Sequence, residues 1–197
     1  RYINKVYTLK FMLAKVIDFV NKTFSGKSAS QILHFERTVH WIKHFRPSAD
    51  EPLLIAAYSH DIERGNRDPK IAEMIVSQDS GFLDEKFLKY HQEKGAEIIG
   101  EFLAKNNYSS DNITRVKMLV SKHEVGGNED QNLLKDCDSM SYFETQVAGF
   151  IKNKVPELGK QKVKEKFDWM YERITSSESK KIAKPLYEKA IASLNAI

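Results

Sequence analysis

The chain has 197 residues, of which 41% are hydrophobic and 29% are charged, which is typical of a globular domain and excludes a disordered chain. Its formal net charge is only +4, and the basic and acidic residues are interspersed, so no nucleic-acid partner is predicted. No apolar run approaches the roughly 20 residues that cross a bilayer, so no membrane partner is predicted either. With one cysteine and no signal-peptide pattern, we expect a cytoplasmic protein whose first residues precede Arg1.

Apolar residues spaced by three and four predict helices along the whole chain. In chain order, the predicted helices cover residues 2–24, 30–45, 50–61, 69–77, 84–105, 111–123, 129–144, 160–175 and 179–195, with an irregular segment at 78–82. No alternation typical of β-strands is present. The prediction is an all-α protein, a single helical bundle domain of about seven to nine helices. Its motif-bearing core covers residues 30–145, and residues 155–197 form a C-terminal helical extension packed on that core.

The third predicted helix begins at Asp50-Glu51-Pro52, is apolar on most sides and ends at His60-Asp61. It should therefore be central and buried. Burying an ionisable pair at its end costs several kcal/mol unless the charge is compensated, for example by a divalent cation. The alternative is an exposed His-Asp pair at a helix terminus, without a metal.

Four of the six histidines occur singly on four different predicted helices or at their ends: His34, His60, His91 and His123. Helical bundles build metal sites in this way, with one or two ligands from each facing helix. Neutral imidazole binds transition metals near pH 7, and carboxylates supply charge and bridge ions. His40 and His44 are four residues apart but lie off the line of His34, so we interpret them as surface or packing residues.

Five segments, in this order and spacing, resemble the HD-domain superfamily of metal-dependent phosphohydrolases. They are His34-Phe35-Glu36-Arg37, Leu54 to Ile62 with His60-Asp61, His91-Gln92-Glu93-Lys94-Gly95, Leu119 to Glu124 with His123, and Lys135-Asp136-Cys137-Asp138. The resemblance covers about residues 30–145. It implies hydrolysis of a phosphate ester or anhydride, on a nucleotide or similar small molecule, through metal-activated water.

Carried over by position, the resemblance implies one metal ion held by His34, His60, Asp61 and Asp138. Asp61 would bridge to a second ion held by His91 and His123. Asp138 is preferred to Asp136 because it aligns with the closing aspartate of the family pattern. The cofactor implied is one or two divalent transition metal ions, from among Mn, Fe, Co, Ni and Zn.

Four cations are candidates for binding the substrate phosphate. Arg37 lies one turn after His34 on the same helix face, while Arg64, Lys94 and Lys122 lie close to proposed ligands in sequence. The alternative for each is a solvated surface cation. Arg37 is also a candidate catalytic residue, together with Asp61.

Two departures from the family pattern leave alternatives open. Glu63-Arg64 stands where many members have Gly-Lys. Glu63 is a candidate general base or water-orienting residue and Arg64 a replacement for the lysine, unless both are simply exposed. Glu124 stands where members often have a second histidine, and is either a substitute ligand or without a role.

Other functions stay open at this stage. One is a catalytically inactive HD-type regulatory or interaction domain, although all six candidate ligands are present. Others are a helical interaction module with incidental histidines and, as a minor variant, a di-iron oxygenase. The C-terminal helices offer a surface for a homodimer, but Val163, Phe167, Met170 and Ile174 have the domain's own core as default partner.

Overall fold

The computed structural model describes residues 2–26, 29–68, 70–71 and 83–197, with side chains from residue 11 onward. Within these ranges the chain forms nine helices and no strand, which confirms the all-α prediction. They are α1 (Tyr2–Phe24), α2 (Ala29–Phe45), α3 (Glu51–Ser59), α4 (Ile62–Gly65), α5 (Glu85–Lys105), α6 (Ser110–Val120), α7 (Glu129–Thr145), α8 (Val147–Glu172) and α9 (Ser177–Asn195). Most of the helix predicted at 69–77, and all of the irregular segment at 78–82, lie outside the described residues.

Helix α3 is the centre of the bundle. The Asp50 carboxylate accepts a hydrogen bond from the Leu53 backbone N–H at 3.1 Å and caps its first turn. Every residue of α3 except Leu54 is buried. Helices α1, α2, α6 and α7 all pack against it, as expected for a helix that is apolar on most sides.

Two groups of buried apolar residues hold the helices together. The larger one joins α1 to α7 and includes Val16, Phe35, Ile55 and Leu119. The second joins α7, α8 and α9, with Phe143, Val163, Phe167 and Leu194. The C-terminal helices therefore bury their apolar faces against this chain's own core. No helix in the described residues is both long and apolar enough to span a membrane.

Two of the predicted helices have different boundaries in the structure. Helix α6 begins at Ser110, one residue before the predicted start, and is capped by Ser109, whose hydroxyl accepts from the Asn112 N–H at 3.4 Å. It ends at Val120, so His123 lies in the turn beyond it. Helix α8 starts at Val147 rather than near 160, because Phe150, Ile151 and Val155 on its first half pack against the second core. Gly159, predicted to precede the helix, instead forms a kink inside it, with φ 83° and ψ 160°.

Candidate metal centre

The turn from α3 to α4 places His60 and Asp61 in the interior. Helix α3 ends at Ser59, and Asp61 has non-helical dihedral angles, φ −98° and ψ 16°. Both side chains are buried. A Cβ atom on Gly95 would lie 3.2 Å from the His60 carbonyl oxygen. Glycine at this position therefore lets α5, which carries His91, pack closely on the turn.

What we call the first ligand group consists of His34, His60 and Asp138. His34 lies on α2, His60 lies in the turn that follows α3, and Asp138 lies on α7. His34 Nε2 lies 3.0 Å from Asp138 Oδ1 and 3.2 Å from His60 Nε2. His60 Nε2 lies 3.4 Å from the same Asp138 oxygen. All three side chains are buried, and their facing atoms are close enough to share one ion.

Asp61, His91, His123 and Glu124 form the second ligand group. His91 Nε2 lies 2.8 Å from Asp61 Oδ1, and His123 Nε2 lies 3.7 Å from that oxygen. Glu124 Oε1 lies 3.7 Å from His123 Nε2 and 3.9 Å from His91 Nε2. Of the two readings that the sequence left open for Glu124, its position supports the substitute ligand.

Asp61 connects the two ligand groups. Its Oδ1 faces His91 and His123, while its Oδ2 lies 3.9 Å from His60 Nε2. Gln31 and Arg64 also donate to Oδ2, at 3.2 and 2.9 Å. The two oxygens of one carboxylate are thus directed at different groups, which is the arrangement that bridging two ions requires.

The four histidines of the two ligand groups all use Nδ1 as a hydrogen-bond donor. The Nδ1 atoms of His60 and His123 donate to the carbonyl oxygens of Ala57 and Val120, at 2.9 and 2.8 Å. His91 Nδ1 donates to Glu63 Oε2 at 2.7 Å. His34 Nδ1 donates to the Ser141 hydroxyl oxygen at 2.8 Å, since the hydrogen of that hydroxyl is directed to the His34 carbonyl. With Nδ1 acting as the donor, each Nε2 presents its lone pair to the ligand groups, as in histidine–metal sites.

The donor set fits a transition metal ion. His123 Nε2 is fully buried and has no hydrogen-bond partner among the residues that the structure describes, although buried polar atoms are normally satisfied. Burial alone would lower the pKa of His60, but the carboxylates of Asp138 and Asp61 outweigh it, so that this pKa is raised. The same carboxylates would also attract a bound cation.

Arg173 balances the remaining acidic charge. Its buried guanidinium donates to Asp138 Oδ2 and Glu124 Oε2, and its Nε donates to the Ser139 hydroxyl at 2.8 Å. Burial raises the pKa of Glu124, but Arg173 outweighs it and brings this pKa down to about 2. Each carboxylate thus keeps its other oxygen directed at a ligand group.

Glu63 is buried, so the alternative that it is solvent-exposed is wrong. Arg67 donates to both of its oxygens, with Nε at 2.9 Å from Oε1 and a terminal nitrogen at 2.5 Å from Oε2. Oε2 also accepts from His91. The observed contacts of Glu63 therefore orient His91.

The structure does not bring together all of the predicted substrate cations. Arg64 lies at Asp61, with its side chain 39% exposed. Lys94 pairs with Glu97 at 2.6 Å on the surface of α5, and Lys122 is exposed beside a different cavity with Lys89. Arg37 pairs with Glu144 at 2.7 Å and lines a cavity of about 510 Å³ between α2, α7, α8 and α9. In the described residues, Lys94, Lys122 and Arg37 therefore make no contact with the ligand groups.

Sequence reasoning missed Lys166 and Arg173, which α8 and the residue after it bring to the site. The sequence pattern of α8 could have identified both residues. Lys166 shares the apolar stripe of Val163, Phe167 and Met170, with spacings of three and four, and Arg173 follows Met170 by three. A cation inside an apolar stripe is buried, and a buried cation needs an anionic partner.

Fold and site together define an all-helical protein with a buried histidine–carboxylate centre able to hold metal ions. The chain belongs to a family described as a domain of unknown function, DUF4202, whose model matches residues 14–190. Searches of curated proteins and of solved structures found no match. The helical architecture and the ligand groups are compatible with the resemblance to HD domains, while the family description names no activity.

Proposed function

We propose that this chain is a metal-dependent phosphohydrolase that cleaves a phosphate ester or anhydride of a nucleotide or a similar small molecule. In this proposal, His34, His60 and Asp138 hold one metal ion, and His91, His123 and Glu124 hold another. Asp61 is shared between them. The observation that carries the proposal is the position of Asp61, with one oxygen at 2.8 Å from His91 and the other at 3.9 Å from His60.

Imidazole and carboxylate ligands suit Mn, Fe, Co, Ni or Zn. A divalent ion bound there would lower the pKa of water towards neutrality and polarise a phosphoryl oxygen. The protein's own part is to keep the ligands in place. Glu63 orients His91, Ser141 orients His34, and Arg173 restrains Asp138 and Glu124. Such partners are commonly worth tenfold to a hundredfold in affinity or activity.

Arg64 is proposed to attract the anionic substrate, because its guanidinium is partly exposed while its Nε contacts Asp61 at 2.9 Å. Lys94 and Lys122 take no part in this proposal, since they are exposed on other surfaces. Arg37 takes no part either, because its guanidinium is held by Glu144.

The decisive experiment is metal content per chain, measured by plasma mass spectrometry after loading with each candidate ion. We expect about two equivalents in the wild type, one for each ligand group. Asp61→Asn should lose most of the metal, because it removes the charge shared by both groups. His34→Gln should lose one equivalent. His44→Gln is the matched control, because His44 lies on the same helix but is exposed.

A hydrolysis screen with nucleoside monophosphates, other nucleotides and cyclic nucleotides then tests the activity. Metal-loaded wild type and His44→Gln should hydrolyse the same substrate, while Asp61→Asn should be slower by roughly a hundredfold or more. Full hydrolysis by Asp61→Asn would refute the site. A wild type that binds none of the candidate metals would point instead to an inactive regulatory domain.

A further inference from the structure

A small cavity lies directly against the ligand groups. Four candidate ligands line it: His34, Asp61, Glu124 and Asp138. Tyr142 from α7 and Lys166 from α8 also line it. Its volume of about 10 Å³ has room for a single water-sized atom.

Lys166 is a buried cation whose charge is not neutralised by an ion pair. Its recorded contact is the Trp169 ring, with Nζ 4.2 Å from the ring centroid, and no hydrogen bond or ion pair reaches it from the residues that the structure describes. The neighbouring cations are engaged, since Arg64 pairs with Asp61, and Arg173 pairs with Glu124 and Asp138. Burial lowers the pKa of Lys166 to about 8, so the ammonium form still predominates at pH 7.

Tyr142 presents a second donor without an acceptor. Its hydroxyl is buried and has no hydrogen-bond partner in the described structure. It follows Asp138 by one turn of α7, which places it beside the first ligand group. Buried hydroxyls are normally satisfied, so an acceptor belonging to a bound ligand is the natural partner.

We propose that Lys166 and Tyr142 form an oxyanion subsite that binds one non-bridging oxygen of a phosphoryl group beside the ligand groups. This rests on the proposed function and specifies which residues recognise the substrate. Two donors without acceptors line a space that fits one oxygen atom. The ammonium favours an anionic oxygen over a neutral carbonyl, since charge-assisted hydrogen bonds are about twice as strong.

The test is binding of inorganic phosphate to the metal-loaded protein, measured by titration calorimetry. We expect Lys166→Met to weaken phosphate binding about tenfold or more, and Tyr142→Phe to weaken it about threefold to tenfold. Lys164→Met is the matched control on the same helix, because Lys164 is partly exposed and pairs with Asp168 at 2.6 Å. The control should bind phosphate as the wild type does.

Metal content and melting temperature separate recognition from folding. Tyr142→Phe should keep the wild-type melting temperature without phosphate, because the Tyr142 hydroxyl makes no hydrogen bond to any residue in the described part of the chain. It should also show a smaller rise in melting temperature when phosphate is added. Both variants should retain the wild-type metal content.

The failure of this inference differs from the failure of the proposed function. If Lys166→Met and Tyr142→Phe bind phosphate as tightly as the wild type, the subsite is refuted while the metal centre stands. A metal-loaded wild type that binds no phosphate also refutes it, and the hydrolysis screen then judges the proposed function separately. If the wild type binds no metal, both the subsite and the proposed function are refuted.

Discussion

At the scale of single residues, Arg173 determines the charge balance of the metal centre. It is the buried cation that contacts a carboxylate from each ligand group, Asp138 and Glu124. Removing one partner of a buried ion pair is far more costly than removing one at the surface, because the remaining charge stays buried without compensation. The structure therefore makes the stability of the free protein depend on a residue outside the HD-like segments.

We predict that Arg173→Met lowers the free energy of unfolding of the metal-free protein by about 3–5 kcal/mol. Metal ions should restore part of this loss, because they compensate the same carboxylates. Urea unfolding with EDTA and with a bound metal measures both effects. Arg46→Met is the control, since Arg46 also contacts two carboxylates, Glu129 and Asp130, but nearer the surface, and it should cost about 1 kcal/mol or less. Equal losses for the two variants would contradict the prediction.

Glu63 gives the site a predictable response to acid. Burial raises its pKa, but the hydrogen bonds from His91 and Arg67 outweigh this and lower it from 4.5 to about 2. A depressed pKa means that the stabilisation is present above pH 4.5 and is lost as the pH falls from 4.5 towards 2.

The free energy of unfolding of the metal-free wild type should therefore fall more steeply between pH 5 and pH 3 than that of Glu63→Gln. At neutral pH, Glu63→Gln should cost up to about 3 kcal/mol. Urea unfolding in EDTA across this range provides the comparison. Parallel pH profiles for the two proteins would show that the ionised Glu63 carboxylate does not stabilise the fold.

At the scale of elements, α8 decides whether the site is complete. Its first half packs on the second core through Phe150 and Ile151, and its second half places Lys166 at the cavity and leads into Arg173. Gly159 joins the halves with φ 83° and ψ 160°, a backbone conformation that is essentially restricted to glycine. The bend at this residue thus sets the direction in which the second half runs.

We predict that Gly159→Ala destabilises the protein by about 1–3 kcal/mol, because alanine is strained in that conformation. Gly149→Ala, in the helical first half of α8, should instead stabilise it by up to about 1 kcal/mol. A Cβ atom would meet no neighbour within 4 Å at either position, so the pair isolates the backbone effect. Thermal unfolding followed by circular dichroism measures the difference. If Gly159→Ala were as stable as the wild type, the kink would not require glycine at this position.

At the scale of the whole molecule, the C-terminal helices belong to the same folded unit as the ligand groups. Asp136 on α7 accepts from the backbone N–H groups of Thr175 and Ser176, at 2.8 and 2.7 Å, and so holds the start of α9. Asp138, two residues later, faces the first ligand group instead. Neighbouring acids on one helix thus serve the packing of the chain and the metal centre separately.

Truncation tests this dependence. A chain ending at residue 155 lacks Arg173 and most of the partners of Tyr142 and Phe143 in the second core. We expect it to lose cooperative thermal unfolding and to bind a hydrophobic dye, because apolar surface of the second core becomes exposed and because Glu124 and Asp138 lose the cation that compensates them. A chain ending at Asn195, which removes only two exposed residues, should behave as the full chain does. Cooperative unfolding of the shorter chain would show that the extension is dispensable.

The sequence by itself determined the helical class, the central position of α3 and the candidacy of six ligands. The first two follow from patterns within one helix, namely apolar periodicity and an N-cap. The six candidate ligands were implied by the resemblance of five separate segments to HD domains. The structure then places His34, His60, Asp61, His91, His123 and Asp138 in two adjoining groups.

Only the tertiary structure decided which other charges belong to the site. Lys94 and Lys122 are close to ligands in sequence but face outward, whereas Arg173 is 35 residues from Asp138 and contacts it directly. The first half of α8 was missed for a related reason, since packing against the second core continues the helix up to Gly159. Sequence patterns report which face of a helix is buried, but the partner of a buried charge depends on how separate helices pack together.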